Sequence, residues 1–211
     1  LVNEGIVPMW RIDEAVSRIL AVKMQVGLFD NPYPDKELLK DFAKDEFTAI
    51  NLNAARESII LTKNENNILN GGWTITWQGN EESAYPQEKN TVLEAIQNKI
   101  GTGNVNYVEG SSFDKDINTS KAVTEAKNSD VVILCLGEAA YCETPGRLFD
   151  LTLNIAQLEL ANKIIETGKP VIIIMLEGRP RVITEIEPKA KGVLLGFLPG
   201  MEGGDAIADV L

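Results

Sequence analysis

A mainly parallel α/β sheet flanked by helices is the fold the sequence predicts, and three features of the chain predict it. Residues 131–136 (VVILCL) and 171–176 (VIIIML) are continuous, apolar and rich in β-branched side chains. Strands covered on both faces have that composition. Residues 193–198 (VLLGFL) repeat the pattern more weakly. Between the first two runs lies a helical stretch, residues 155–167, ended by Gly168, with Pro170 opening the next strand. Strand, helix, strand in that rhythm is the pattern of a parallel sheet with helices on its faces, an α/β sandwich.

The remaining elements follow in chain order. Residues 11–26 place Ile12, Val16, Ile19, Leu20 and Lys23 at helical spacing, and Gly27 supplies a C-terminal stop. Residues 28–35 (LFDNPYPD) carry two prolines and read as an extended linker. A second helix is expected over residues 42–61, followed by the polar loop Lys63-Asn64-Glu65-Asn66-Asn67. Beyond Asn70 the reading alternates. It gives a short strand at 74–77, a helix at 92–100, a strand at 105–108 and a short polar helix at 120–127. There are no internal repeats.

Composition limits the chemistry. The chain of 211 residues has 20 Lys and Arg against 31 Asp and Glu, a net charge of −11. That sign opposes binding to nucleic acid or to anionic membranes, and a neutral sugar is compatible with it. No apolar run approaches the roughly 20 residues that span a bilayer. Histidine is absent, which removes Ser-His-Asp and Cys-His catalysis within this chain and the commonest metal ligand. Cys135 and Cys142 lack metal-ligand spacing, and Cys135 reads as a buried free thiol in an apolar strand. Gly101-Thr102-Gly103 follows a helix and precedes a strand, the wrong context for a dinucleotide loop. Neither a cofactor nor a metal is therefore expected. Both ends are expected to be cut ones: the chain begins Leu-Val-Asn-Glu-Gly without an initiator Met or signal peptide, and stops inside a helical pattern.

Parallel sheets work at the carboxyl ends of their strands. Here those ends read Leu136-Gly137-Glu138, Leu176-Glu177-Gly178 and Leu198-Pro199-Gly200. The loop after the first is the longest and most polar, and it contains Tyr141, Cys142, Glu143 and Thr144. Glu143 is a candidate acid there, although a solvated loop carboxylate would look the same. Trp73 and Trp77 alternate onto one side of a strand behind the Gly71-Gly72 turn. Indole faces there serve a sugar platform or a packed core equally.

A resemblance adds to this reading. The segment Gly71-Gly72-Trp73-Thr74-Ile75-Thr76-Trp77-Gln78-Gly79 resembles the tryptophan loop of family 3 β-glucosidases. Residues 136–146 resemble the loop carrying their general acid/base, and residues 54–64 are similar to the helix introducing their second domain. Glu177-Gly178-Arg179-Pro180 and Leu198-Pro199-Gly200-Met201-Glu202-Gly203-Gly204 match later signatures. The resemblance implies a retaining exo-β-glycosidase acting on terminal β-D-glucosyl residues. Its nucleophile comes from an N-terminal (β/α) barrel, and its acid/base from an α/β sandwich. It assigns Glu143 as acid/base, Trp77 as the stacking residue and Trp73 as a second candidate. It reads residues 1–29 as the terminal helix of the barrel, 30–42 as the interdomain linker and 43–211 as an incomplete sandwich.

The partners it implies are a β-linked oligosaccharide or glucoside and the missing barrel, and its bacterial members point to a periplasmic or secreted location. One departure stands out. Ile68-Leu69-Asn70 joins two loops that the family separates by a full strand, so one sheet strand is expected to be missing. Arg147-Leu148-Phe149 also replaces a small polar run. A non-catalytic carbohydrate-binding or interaction module, or an inactive truncated product, remain the alternatives.

Overall fold

The computed structural model describes residues 1–42, 44–64, 88–139, 141 and 149–211. The described chain divides into two units, Leu1–Lys44 and Asp45–Leu211.

The first unit is built on helix α1, Met9–Gln25. Gly27 sits at φ 72°, where glycine costs least. Its N–H reaches Met24 O, and the N–H of Leu28 reaches Lys23 O, the paired bonds of a Schellman stop. The linker is not wholly extended. Leu28–Asp30 lie in turns, and Lys36–Asp41 form a 3₁₀ helix whose first turn is capped by the Asp35 side chain. α1 buries none of its residues, and its apolar Val16, Ile19 and Leu20 are exposed.

The second unit opens with α2 (Asp45–Ser58) and then strand β1 (Ile60–Asn64). The sequence reading runs the helix on through Leu61. Instead the chain turns extended at Ile60 and pairs antiparallel with the last strand, a long-range contact that local periodicity does not register. α3 (Val92–Ile100) is fixed at its start by a capping box between Thr91 and Glu94. Residues 105–108, expected as a strand, join no ladder. α4 (Thr119–Lys127), β2 (Val132–Gly137), α5 (Ile155–Ile165), β3 (Val171–Leu176), β4 (Gly192–Leu195) and α6 (Gly203–Val210) complete the unit. The expected strand at 74–77 and the junction at 68–70 lie outside the described residues.

The sheet order is β1-β4-β3-β2, with β2, β3 and β4 parallel and β1 antiparallel on β4. One face carries Leu134, Leu136, Ile173, Met175 and Val193 beneath α4 and α5. The other packs Ile172, Ile174 and Leu194 against Ile207 of α6, with Val92 of α3 at its margin. β3 is central, and its first five residues are buried, as its uninterrupted apolar run requires.

β2 differs from expectation. Among the described strands it is the outermost, with Leu134 and Leu136 buried while Val131 and Cys135 are exposed. Cys135 is a free thiol, reachable by solvent yet crowded enough that desolvation pushes it up to about 11. It therefore stays protonated at neutral pH.

The helices on the second face are tied by charge. Asp209 of α6 takes Lys99 of α3 at 2.5 Å and also pairs with Arg56 of α2. These bonds, from Lys99 first, hold the Asp209 carboxyl below its usual range. Gly204 makes the contact between α6 and the start of α3 possible, because a Cβ there would lie 2.1 Å from Asn90 O. Backbone cannot yield as a side-chain tip can. Gly204→Ala is therefore expected to destabilise the unit by roughly 1–3 kcal/mol, read as a lowered urea midpoint with unchanged slope.

Candidate active site at the carboxyl ends of the strands

The register of β2 on β3 sets Gly137 opposite Leu176. The next residue of each strand is a glutamate, so Glu138 and Glu177 emerge together at the end where parallel sheets carry their sites. Gly137 is needed at this position, since a Cβ would stand 2.0 Å from Leu176 O.

Glu138 is clasped from three sides. Its Oε1 accepts from Tyr141 Oη at 2.8 Å and from Gly178 N at 2.8 Å. Its Oε2 pairs with the Arg181 guanidinium, and the two side chains are only 8% and 12% exposed. Arg179 donates from Nε to Tyr141 Oη at 2.7 Å and lies 4.6 Å from the ring centroid, a cation–π contact. Gly178 leaves room for the phenol, because a Cβ on it would meet Tyr141 Oη at 2.6 Å. Burial, chiefly, raises the Tyr141 pKa, so the hydroxyl keeps the proton it donates.

Glu177 is 1% exposed. Its Oε2 accepts from Arg181 N at 3.3 Å, while its Oε1 and the Arg181 Nε have no hydrogen-bond partner among the described residues. Burial pushes the Glu177 carboxyl up to about 7. The Arg181 backbone N–H and guanidinium oppose that rise, and the Glu138 charge adds to it. Two neighbouring carboxylates in a dry place, with the guanidinium paired to Glu138 alone, ease the conflict by raising the pKa of Glu177.

The far stem of the same loop is stitched to the same segment. Asp150 caps Thr152 through its backbone N at 2.8 Å and its hydroxyl at 2.7 Å, which lowers the Asp150 pKa. Val182 N donates to Leu151 O at 2.9 Å, and Thr152 bridges Val182 in parallel fashion. Glu138 and Tyr141 on one stem, and residues 150–152 on the other, are thus both held by residues 178–182.

Glu143, Trp73 and Trp77, the site residues expected from the sequence, lie outside the described residues, as does Cys142. The structure therefore describes the frame that carries Glu143 and neither the carboxylate nor the indoles. The network of Glu138, Tyr141, Glu177, Arg179 and Arg181 has no role in the sequence reading. A carboxylate following each of two adjacent parallel strands, with arginines just beyond the second, is the signal that points to it. No cluster able to hold a metal occurs among the described residues.

Residues 44–211 match the family described as the glycosyl hydrolase family 3 C-terminal domain. The chain belongs to glycoside hydrolase family 3. It is 34% identical to a lysosomal beta glucosidase of Dictyostelium discoideum, over 100% of this chain and 30% of that protein. A beta-xylosidase of Formosa agariphila is 34% identical over 95% of this chain and 31% of its own length. The crystal structure of a beta-glucosidase from Listeria innocua superposes with a TM-score of 0.81 at 27% identity, covering 100% of this chain and 31% of that one. The Listeria enzyme has also been solved with glucose and, as a mutant, with laminaribiose. The chain thus spans about a third of these family 3 proteins.

The buried Glu177 has a pH signature. Its ordinary value of 4.5 applies in the unfolded chain, and the folded value is about 7. The folded state holds the extra proton between these values, so stability falls as pH rises from about 4.5 to 7 and then levels. Glu177→Gln removes that dependence. Its melting temperature is expected to gain on wild type from pH 4.5 to 7 and hold the gain at pH 8. A gap constant with pH would contradict the assignment.

Proposed function

We propose that this chain is the acid/base-bearing domain of a retaining exo-β-glycosidase that removes terminal β-D-glucosyl residues, with Glu143 as the general acid/base. The observation that carries the proposal is the frame. The loop bearing Glu143 leaves and re-enters at the carboxyl end of the sheet, with both stems fastened to residues 178–182. The neighbouring carboxylates are committed elsewhere. Glu138 is saturated by three donors, and Glu177 is inaccessible to a ligand. The names of the relatives support the reaction class, and the ligands of the Listeria enzyme support a β-glucoside as substrate.

In this mechanism Glu143 protonates the departing glycosidic oxygen while an aspartate from an N-terminal barrel attacks the anomeric carbon. Glu143 then takes a proton from the water that releases the sugar. Retention requires the two carboxyls to stand about 5 Å apart. Trp77 stacks on the sugar, with Trp73 beside it. Residues 1–29 are the last helix of that barrel, 30–42 the linker, and 43–211 the sandwich.

The chain alone is expected to be inactive, and mixing it with a separately expressed family 3 barrel is expected to restore aryl-β-glucoside hydrolysis. Glu143→Ala should then lower turnover of a poorly acidic phenol glucoside by roughly 10²–10⁴-fold. It should lower turnover far less for a dinitrophenyl glucoside, whose leaving group needs no proton. Equal losses on both substrates would remove Glu143 from the acid role. In the same mixture Trp77→Ala is expected to raise KM several-fold with a smaller change in kcat, as loss of stacking to the bound sugar requires. An unchanged KM would remove Trp77 from the site.

A further inference from the structure

One oxygen atom joins the ends of two strands. Tyr141 Oη bonds to Glu138 Oε1 at 2.8 Å, just past β2, and to Arg179 Nε at 2.7 Å, just past β3. Chemistry fixes the direction of both bonds. An arginine Nε can only donate, so the phenol oxygen accepts from it. Glu138 already takes donors from Gly178 N and Arg181, and its carboxylate accepts the phenol proton as well. Gly178 makes room for this atom, since a Cβ there would stand 2.6 Å from Oη. The ring is held separately, with the Arg179 guanidinium 4.6 Å from its centroid. Removing the hydroxyl therefore cuts the junction and leaves the ring its stacking partner.

The place of this junction along the chain distinguishes it from the other stem of the loop. Two residues of chain span at most about 7 Å, whereas seven span up to about 25 Å. Position 143 comes two residues after Tyr141 and seven before Asp150. The stem at 150–152 is also tied, through Val182 N and Leu151 O at 2.9 Å, but its tether is too long to place an acid at position 143. The tether from Tyr141 is short. A displacement of about 1 Å in a reacting group lowers a rate by on the order of 10²-fold.

We infer that Tyr141 is a positioning residue for proton transfer from Glu143 to the leaving oxygen, acting through its hydroxyl and the short tether that follows it. The inference rests on the reading of Glu143 as the general acid/base. Loss of the hydroxyl is then felt in proportion to the leaving group's need for a proton. A phenol of ordinary acidity departs only with that proton, whereas a dinitrophenolate departs unaided. A contact that merely held the fold would slow both substrates alike.

The test uses the mixture of this chain with a family 3 barrel and reads kcat/KM, which reports the step in which the leaving group departs. Tyr141→Phe should lower it roughly 10–100-fold for phenyl β-glucoside and leave it nearly unchanged for the dinitrophenyl glucoside. Thr152→Val, which cuts a side-chain bond on the distant stem, should keep the ratio of the two close to the wild-type value. Equal losses on both substrates with Tyr141→Phe overturn the inference, since the hydroxyl would then serve the fold alone. A matching shift of the ratio with Thr152→Val also overturns it, because any tie on the loop would then suffice. Glu143→Ala separates the inference from the reading beneath it. If Glu143→Ala splits the two substrates and Tyr141→Phe does not, Tyr141 alone loses its role. A wild-type mixture without activity, or a Glu143→Ala variant that splits nothing, removes the acid/base assignment and the inference with it.

Discussion

The register of β2 against β3 is the constraint from which the working end of the molecule follows. Gly137 stands opposite Leu176 because no side chain fits against that carbonyl. The residues that come next are then obliged to be neighbours, and both are glutamates. Two carboxylates forced together where little water reaches would repel and lose hydration at once. Arg181 answers the repulsion by pairing with Glu138, and the proton retained on Glu177 answers the rest. Breaking a buried pair of this kind by removing one partner costs about 3–5 kcal/mol, so the register and the clasp reinforce each other.

That clasp explains how a loop at the end of an edge strand can be held in place. Tyr141 is the hinge between the two halves of the arrangement. Its hydroxyl donates to Glu138 and accepts from Arg179, and its ring lies under the same guanidinium. The phenol thereby locks the segment leaving β2 to the segment leaving β3. Asp150, Leu151 and Thr152 repeat the device on the return path. A general acid delivers a proton well only if it is placed within hydrogen-bond reach of its target. Both stems of the loop, residues 138–141 and 150–152, are fixed by residues 178–182.

Much of this architecture is legible in the sequence. The run VIIIML forms β3 with the expected bounds, and α3 spans the expected Val92–Ile100, because both carry their signals locally. The misreadings share one cause. Ile60–Asn64 is a strand only through its pairing with Gly192, Val193, Leu194 and Leu195 of β4, which lie far along the chain. Residues 105–108 have strand composition, but composition forms no ladder without an adjacent edge. Cys135 lies in a run that reads as covered on both faces, yet a strand at the margin keeps one face half open. The polar network is hidden for the same reason, since the adjacency of Glu138 and Glu177 depends on pairing between strands that a whole helix separates in the chain. Glu143, Trp73 and Trp77 rest on the resemblance of their motifs and lie outside the described residues.

The division of labour along β2 shows why an open margin and a rigid site can coexist on one strand. Glu138 is fixed by the clasp, and Gly137 is fixed by Leu176 on one side and Gln157 on the other. The Gln157 amide imitates a neighbouring strand for a single residue, and it also reaches Phe113 O at 2.9 Å, which draws the loop before α4 to the same point. A side-chain amide is suited to that post, because it supplies both a donor and an acceptor while carrying no charge to be buried. The sheet needs a neighbour at its carboxyl end for the site's sake, and Gln157 provides one without closing the edge below it.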